Sequence, residues 1–214
     1  MMATGTDENL PIITEFAEKL NVAADQVVAP HSNSEGFVVG DGSVSILMET
    51  EEQAKARDAK IYCYALGYGN GRKNVKFGKL EGSGEALDSA IQEALKDANV
   101  SKDEIDAVCG FADGFKKIDN IEKESLARVF GGKLASIPVF EVKERVGEGR
   151  AASATLAAAE AALLLSSELK SEKAYFLAED GSVSTKTVES AGLKKILVIS
   201  FAAGGSYSAV VFGK

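Results

Sequence analysis

The chain has 214 residues, 45% of them hydrophobic and 26% charged, with a formal net charge of −8. These proportions describe a globular chain long enough for one large or two small domains with a substantial core, and they exclude a disordered or fibrous one. The surplus of acids, 32 Asp and Glu against 24 Lys and Arg, disfavours a nucleic-acid partner, which must be met by a basic face. Asp7, Glu8, Glu15 and Glu18 occupy the first twenty residues, and no cationic segment precedes an apolar run, so no secretory signal is expected. Cys63 and Cys109 lie in apolar, strand-like stretches. Their spacing gives neither a disulfide framework nor a metal motif, and each reads as a small buried hydrophobe in a reducing cytoplasm.

In chain order, strand and helix signals alternate. Ser43–Glu49 alternates apolar and polar positions and opens from the Gly40-Asp41-Gly42 turn, as a strand does. "TEEQAKARD" follows as a short helix with acids in its first turn and bases in its last, the order the helix dipole favours. "AKIYCYALGYG", β-branched and aromatic and bounded by glycine, predicts a strand. "GSGEALDSAIQEALKDANV" predicts an amphipathic helix capped by Ser83, with Ala86, Leu87, Ala90, Ile91, Ala94 and Leu95 on one face. "SKDEIDAVCGF" leads into a short buried strand, "NIEKESLARVFG" forms a helix, and "IPVFEVK" is another short strand. The alanine-rich run from Ala151 to Leu165 is too short for a bilayer, which needs about 20 apolar residues, and Glu160 interrupts it. It reads as a buried helix at a packing interface. "KKILVISFAAGGSYSAVVFGK" closes the chain with two strands around a Gly204-Gly205 turn. The alternation argues for a layered α/β domain whose last hairpin is antiparallel.

Ordered blocks then carry a resemblance. "EGFVVGDGSVSILMETEEQAKARDAKIYCYALGYG", Glu35 to Gly69, resembles the DGFV-x-GEGAG strand and E-x-A-x-x-RGAKIYA step of the β-ketoacyl synthases of fatty-acid and polyketide synthesis. "AVCGFADGFKKIDNIEKESLARVFG" runs in register with that family's N-A-H-G-T-G-T-P-x-GD-x-x-E histidine segment. "TGTDENLPIITEF", from Thr4, resembles the strand and helix that follow the family's cysteine nucleophile. The resemblance implies a thiolase-like α/β fold, a layered αβα C-terminal half-core with a mixed sheet. Residues 1–34 would be a remnant of the N-terminal half, and residues 35–214 the C-terminal-like domain. It also implies a chain that begins after the nucleophile. No cofactor and no metal is implied.

In that family a cysteine thiolate carries the acyl chain while two histidines support decarboxylation and stabilise the developing oxyanion, one of them ordered by a lysine. By position, Phe111 replaces the first histidine and can neither donate a hydrogen bond nor carry a proton. "KERVGEGR" keeps the lysine as Lys143 and has Glu148 at the second histidine, where a carboxylate would repel an oxyanion. Glu148 is expected to pair with Lys143 or Arg150 instead. Asp119 and Glu122 match the GD-x-x-E positions and are expected to be architectural. In "ISFAAGGSYSAVVF", Phe201, Gly204 and Gly205 of the family's glycine-rich gate are kept, and Ala203 replaces the swinging phenylalanine. Cys63 and Cys109 align with an alanine and an asparagine of the family.

His31, the only histidine, lies in "VVAPHSNSEGF" and is expected to be a loop residue without a partner. Arg72, Lys73, Lys76 and Lys79 form a basic run that could receive an acidic acyl carrier protein, though a solvated loop is the plainer reading. The pattern of losses resembles a chain-length factor, a non-catalytic partner of a ketosynthase. An exposed half-core predicts a ketosynthase-like heterodimer partner or a homodimer. The alternative is one half of a split condensing enzyme with its cysteine on another chain, which would need histidines at positions 111 and 148.

Overall fold

In the computed structural model the described residues are 1–26, 29–32, 35–74 and 84–214. Ser83, Lys76 and Lys79 of the expectations above lie outside them. The elements run β1 Met2–Asp7, α1 Pro11–Lys19, β2 Gly42–Leu47, α2 Glu51–Ala56, β3 Tyr64–Arg72, α3 Gly84–Asp97, β4 Ala107–Cys109 and α4 Lys116–Phe130. They continue with β5 Val139–Phe140, α5 Lys143–Val146, α6 Ser153–Leu165, β6 Ser171–Leu177, β7 Val183–Glu189, β8 Lys195–Ala202 and β9 Ser206–Gly213.

Seven strands form one sheet in the order β3-β9-β8-β4-β5-β6-β7, and β1 pairs separately with β2. The large sheet is mixed, since β4 runs parallel to both β8 and β5 while the other neighbours are antiparallel. Strand periodicity divides the core between its two faces. Leu197 and Ile199 of β8 join Val108, Tyr207, Ala209 and Val211 beneath α3 and α4. Ile196 and Val198 join Ala107, Cys109 and Phe140 against α6. Helices therefore cover both faces, which is the layered α/β arrangement expected.

β3 and α3 pack backbone against backbone. Gly67, Gly69 and Gly71 recur at every second residue and so point to one face of β3. A Cβ on Gly69 would lie 2.0 Å from the Ala90 carbonyl oxygen, and one on Gly71 would lie 1.7 Å from that of Ala86. Ala86, Ala90 and Ala94 are buried opposite them on α3. "GYGNG" and "ALDSAIQEA" are thus two halves of one contact in which backbone lies on backbone.

Helix α6 is buried through Ala157, Ala161, Leu164 and Leu165, and with them Glu160. The β1–β2 ribbon lies against its N-terminal end, where a Cβ on Gly5 would meet Thr155 Oγ1 at 2.2 Å. Helix α1 buries only Ala17, leaving Ile12 and Phe16 exposed. Among the described residues no helix is long and apolar enough to cross a membrane.

Two regions differ from expectation. The sequence reading assigns no element between Ser166 and Lys194, where the structure has the β6–β7 hairpin, paired from Ser171↔Glu189 to Leu177↔Val183. His31, expected to be a loop residue without a partner, has a side chain that is 0% exposed and bonded to Glu141, as described below.

Candidate functional site

The family-like positions converge where β4 and β5 end. β4 delivers the loop Gly110–Phe115 to the start of α4, and β5 delivers Glu141 to α5 and the turn Gly147–Arg150. "EGFVVGDG" lies across both. Glu35 bridges Phe115, and Gly36 N–H donates to the Gly114 carbonyl at 2.8 Å. At the other end Glu148 N–H donates to the Val38 carbonyl at 2.8 Å, and Gly40 N–H donates to the Glu148 carbonyl at 3.0 Å. A Cβ on Gly40 would sit 2.2 Å from the Val146 carbonyl oxygen, so glycine lets this strap close on the turn that carries Glu148.

Phe111 is buried and its ring stands 5.9 Å from that of Phe201 and 6.2 Å from that of Tyr207. Phe201 and Tyr207 are themselves 5.2 Å apart, so three aromatic rings fill the space around this position. Beside them, Lys143 Nζ donates to the Phe111 carbonyl at 2.7 Å and to Glu148 Oε2 at 2.5 Å. The two charged side chains are 8% and 11% exposed. Glu148 Oε1 accepts from the Arg150 N–H at 2.5 Å and from Ser153 Oγ at 2.7 Å. The Arg150 guanidinium goes elsewhere, gripping Asp7 through Nε at 2.8 Å and Nη2 at 2.5 Å.

Electrostatics keep the Lys143–Glu148 pair ionised. Burial works against the ammonium, but Glu148 and Asp113 outweigh it and hold Lys143 above its ordinary value. Burial likewise works against the Glu148 carboxylate, and Lys143 with Ser153 and the Arg150 N–H overcomes it and holds Glu148 low. Neighbouring Asp113 is pushed up to about 7 by loss of water, against the pull of Lys143. Both cysteine thiols are pushed up by burial, Cys63 to about 11 and Cys109 well above its ordinary value, so neither is poised as a thiolate.

A second buried cluster lies behind the first. Glu122 Oε2 accepts from the N–H groups of Phe111 at 2.5 Å and Ala112 at 3.1 Å. Asp119 Oδ1 accepts from those of Asp113 and Gly114, both at 3.1 Å. Both acids thereby hold the loop after β4 to α4. Asp119 Oδ2 also accepts from the His31 N–H at 2.9 Å. The His31 Nε2 then stands 2.9 Å from Glu141 Oε1 and 3.2 Å from Glu122 Oε1, with all three side chains 0% exposed. Burial and the neighbouring Glu122 push Glu141 well up. For Glu122 burial is opposed by His31 and by bonds from Glu141 and the Phe111 N–H, which hold it low. The two carboxyl groups thus share their protons unequally. His31, Glu122 and Glu141 each present one donor atom within 4.8 Å of the others, and so form a group able to hold a metal ion.

The sequence positions therefore fall into three places. Phe111, Lys143 and Glu148 meet in one layer, and Asp119 and Glu122 support it from α4. Phe201 joins the aromatic cluster, whereas Ala203 and Gly204 are exposed in the β8–β9 turn, where Gly204 and Gly205 have φ of 104° and 82°. His31 and Glu141 were missed as site residues. A lone acid ending the apolar run "IPVF" is the signal that could have flagged Glu141. The partner of His31 is 110 residues away, a distance that local pattern does not bridge.

Comparison with known proteins gives three findings. Residues 62–173, more than half of the chain, match the family described as "Beta-ketoacyl synthase, C-terminal domain". The 3-oxoacyl-[acyl-carrier-protein] synthase 1 of Haemophilus influenzae is 28% identical over 203 residues, covering 92% of this chain and 47% of its own length. The chain spans about half the length of the relatives it matches, or less. Among solved structures, the ishigamide ketosynthase/chain length factor superposes on 100% of this chain and 53% of its own, with TM-score 0.83 and 24% identity. A type II polyketide ketosynthase in complex with its acyl-carrier protein superposes on 99% of this chain and 56% of its own, with TM-score 0.82 and 20% identity. The thiolase-like α/β fold expected from the sequence is the fold these structures share.

Proposed function

The chain belongs to the β-ketoacyl synthase family through its C-terminal domain, and we propose that it acts there as a non-catalytic subunit of the chain-length-factor kind, in fatty-acid or polyketide synthesis. The observation that carries this reading is the state of the two histidine positions. Phe111 is locked among aromatic rings, and Glu148 is closed onto Lys143. A condensing site needs hydrogen-bond donors aimed at the thioester oxygen where negative charge develops. A buried phenyl ring and an ionised carboxylate supply none, and the Lys143 ammonium is already taken by Glu148 and a carbonyl.

The partner in this reading is a ketosynthase-like subunit in the cytoplasm, with an acyl carrier protein as a further contact. The exposed stripe Ile12, Phe16 and Leu20 on and just beyond α1 supports an interface, because large apolar side chains aligned on one helix face are normally covered. Residues 1–34 and 35–214 are in this reading two parts by ancestry and one by folding, since β1 pairs with β2 across that boundary.

Co-expression with a ketosynthase-like gene product from the same locus tests the proposal. Stable co-purification is expected, with malonyl-carrier decarboxylation by the complex and none by the isolated chain. Decarboxylation by the isolated chain overturns the non-catalytic reading.

A further inference from the structure

We propose that His31, Glu122 and Glu141 form a site for one divalent transition-metal ion of the Zn2+ class, which ties the loop holding His31 to α4 and to the end of β5. The donor set is one imidazole nitrogen and two carboxylates, which suits Zn2+ and its first-row neighbours better than the oxygen-only preference of Mg2+ or Ca2+. The edge of a tetrahedron with bonds of about 2.1 Å is about 3.4 Å. The 3.2 Å from His31 Nε2 to Glu122 Oε1 is near it, and the 2.9 Å to Glu141 Oε1 would open by about half an ångström on binding.

The cluster also holds buried polar atoms that make no well-formed hydrogen bond. Glu122 Oε1, Glu141 Oε2 and His31 Nδ1 are all in this condition. Buried carboxylate oxygens are ordinarily satisfied, because leaving one bare costs it its hydration with nothing in return. Of these, Glu122 Oε1 faces the His31 Nε2, so a cation held between them would satisfy it directly.

Supporting bonds set the donors in place. Glu122 turns Oε2 to the Phe111 and Ala112 N–H groups, which leaves Oε1 facing His31. Asp119 fixes the His31 backbone. Such outer contacts orient ligands in known metal sites. Room is provided by Gly110, where a Cβ would lie 2.3 Å from Glu141 Oε1 and 2.6 Å from Glu122 Oε1. A cavity of about 250 Å³ lies beside the cluster at Glu141 and is lined also by Glu144, Arg145, Glu160, Glu172 and Lys173. Three of its four acids, Glu144, Glu160 and Glu172, pair with Arg145 or Lys173, and Glu141 is the one turned to the cluster. As the ion enters, the proton between Nε2 and the carboxylates leaves to solvent.

The test uses the full chain, stripped with EDTA and titrated with ZnCl2. At Zn2+ a hundredfold above Kd the melting temperature is expected to rise by roughly 5–10 °C. The rise should vanish in Glu141→Gln and persist in Glu179→Gln, an exposed acid away from the cluster. No rise in the wild type, or an equal rise in Glu141→Gln, overturns the proposal. Should Glu141→Gln not fold, Zn2+-soaked crystals of the wild type decide by anomalous scattering. A peak bonded to His31 Nε2 upholds the site, and its absence there sinks it.

Discussion

Between β3 and α3 the chain buries small residues, glycine against alanine, with carbonyl oxygens where a side chain would otherwise stand. At the ends of β4 and β5 it buries Lys143, Glu148, Glu122, Glu141 and the His31 ring, each held by an ion pair or a hydrogen bond. The seam tolerates no added atom. The charged layer tolerates no removed partner, because taking away one member strands the charge of another. Size therefore specifies the first region and pairing the second, and variants of opposite kinds separate them.

The largest effect is expected in the charged layer. Lys143→Met leaves Glu148 buried with its main counter-charge gone, which should cost about 3–5 kcal/mol, read as a fall in the urea midpoint. Replacing both members, Lys143→Met with Glu148→Leu, should recover most of that loss, because an apolar pair of similar volume carries no stranded charge. A double variant no better than the single one would mean that the cost is packing, and the contrast with the seam would collapse. In the seam, Gly69→Val puts a branched side chain where even a Cβ meets the Ala90 oxygen at 2.0 Å and the Ala94 nitrogen at 2.5 Å. Backbone cannot yield as a side-chain tip does, so a loss of about 3 kcal/mol is expected by overpacking. Here a second substitution on α3 should rescue nothing, since Ala90 and Ala94 contribute backbone atoms.

Legibility in the sequence follows the same line. The β3 strand, the amphipathic α3 and its apolar face from Ala86 to Leu95 could all be read, because glycine spacing and 3.6-residue periodicity are local signals. The pairing of Lys143 with Glu148 was within reach because the two lie five residues apart in one motif. His31 was not, since its partners Glu122 and Glu141 come from α4 and β5 and only the fold brings them together. The β6–β7 hairpin was missed although its signal is local. "SEKAYFLAEDGSVSTKTVES" carries an Asp-Gly turn signal between two strand-forming runs, and Gly181 has the positive φ of 87° that such a turn requires.

A buried charge outside both regions, Glu160, extends the comparison to pH. Glu160 on α6 is 4% exposed and pairs with Arg145, which also bonds Glu172. Burial pushes Glu160 up from 4.5 to about 7, Arg145 pulls it down, and Glu172 pushes it up. A carboxyl whose folded value is raised binds its proton more tightly when folded than when unfolded. Its stabilising contribution is therefore complete below about 4.5 and is lost as pH rises through about 7. The loss is roughly 3 kcal/mol at most. Asp113, also raised to about 7, adds to the slope in the same window. Melting temperatures from pH 5 to pH 8 should consequently fall less steeply in Glu160→Gln than in the wild type. Parallel slopes would show that the Arg145 pair fully compensates the burial.

The smallest effect on folding is expected at α1, which belongs to neither region. Phe16 is 61% exposed, and Ile12 and Leu20, four residues to either side, are 65% and 44% exposed. Substituting a surface residue normally changes stability by no more than about 0.5 kcal/mol, so Phe16→Asp should melt with the wild type. If this stripe is where the ketosynthase-like partner docks, the same substitution places a carboxylate in an apolar contact, and co-purification should be lost. The two readouts then move independently, which neither Gly69→Val nor Lys143→Met can achieve. A complex that survives Phe16→Asp removes α1 from the interface and shifts attention to Leu66 and Tyr68, exposed on the edge strand β3 whose other side is sealed against α3.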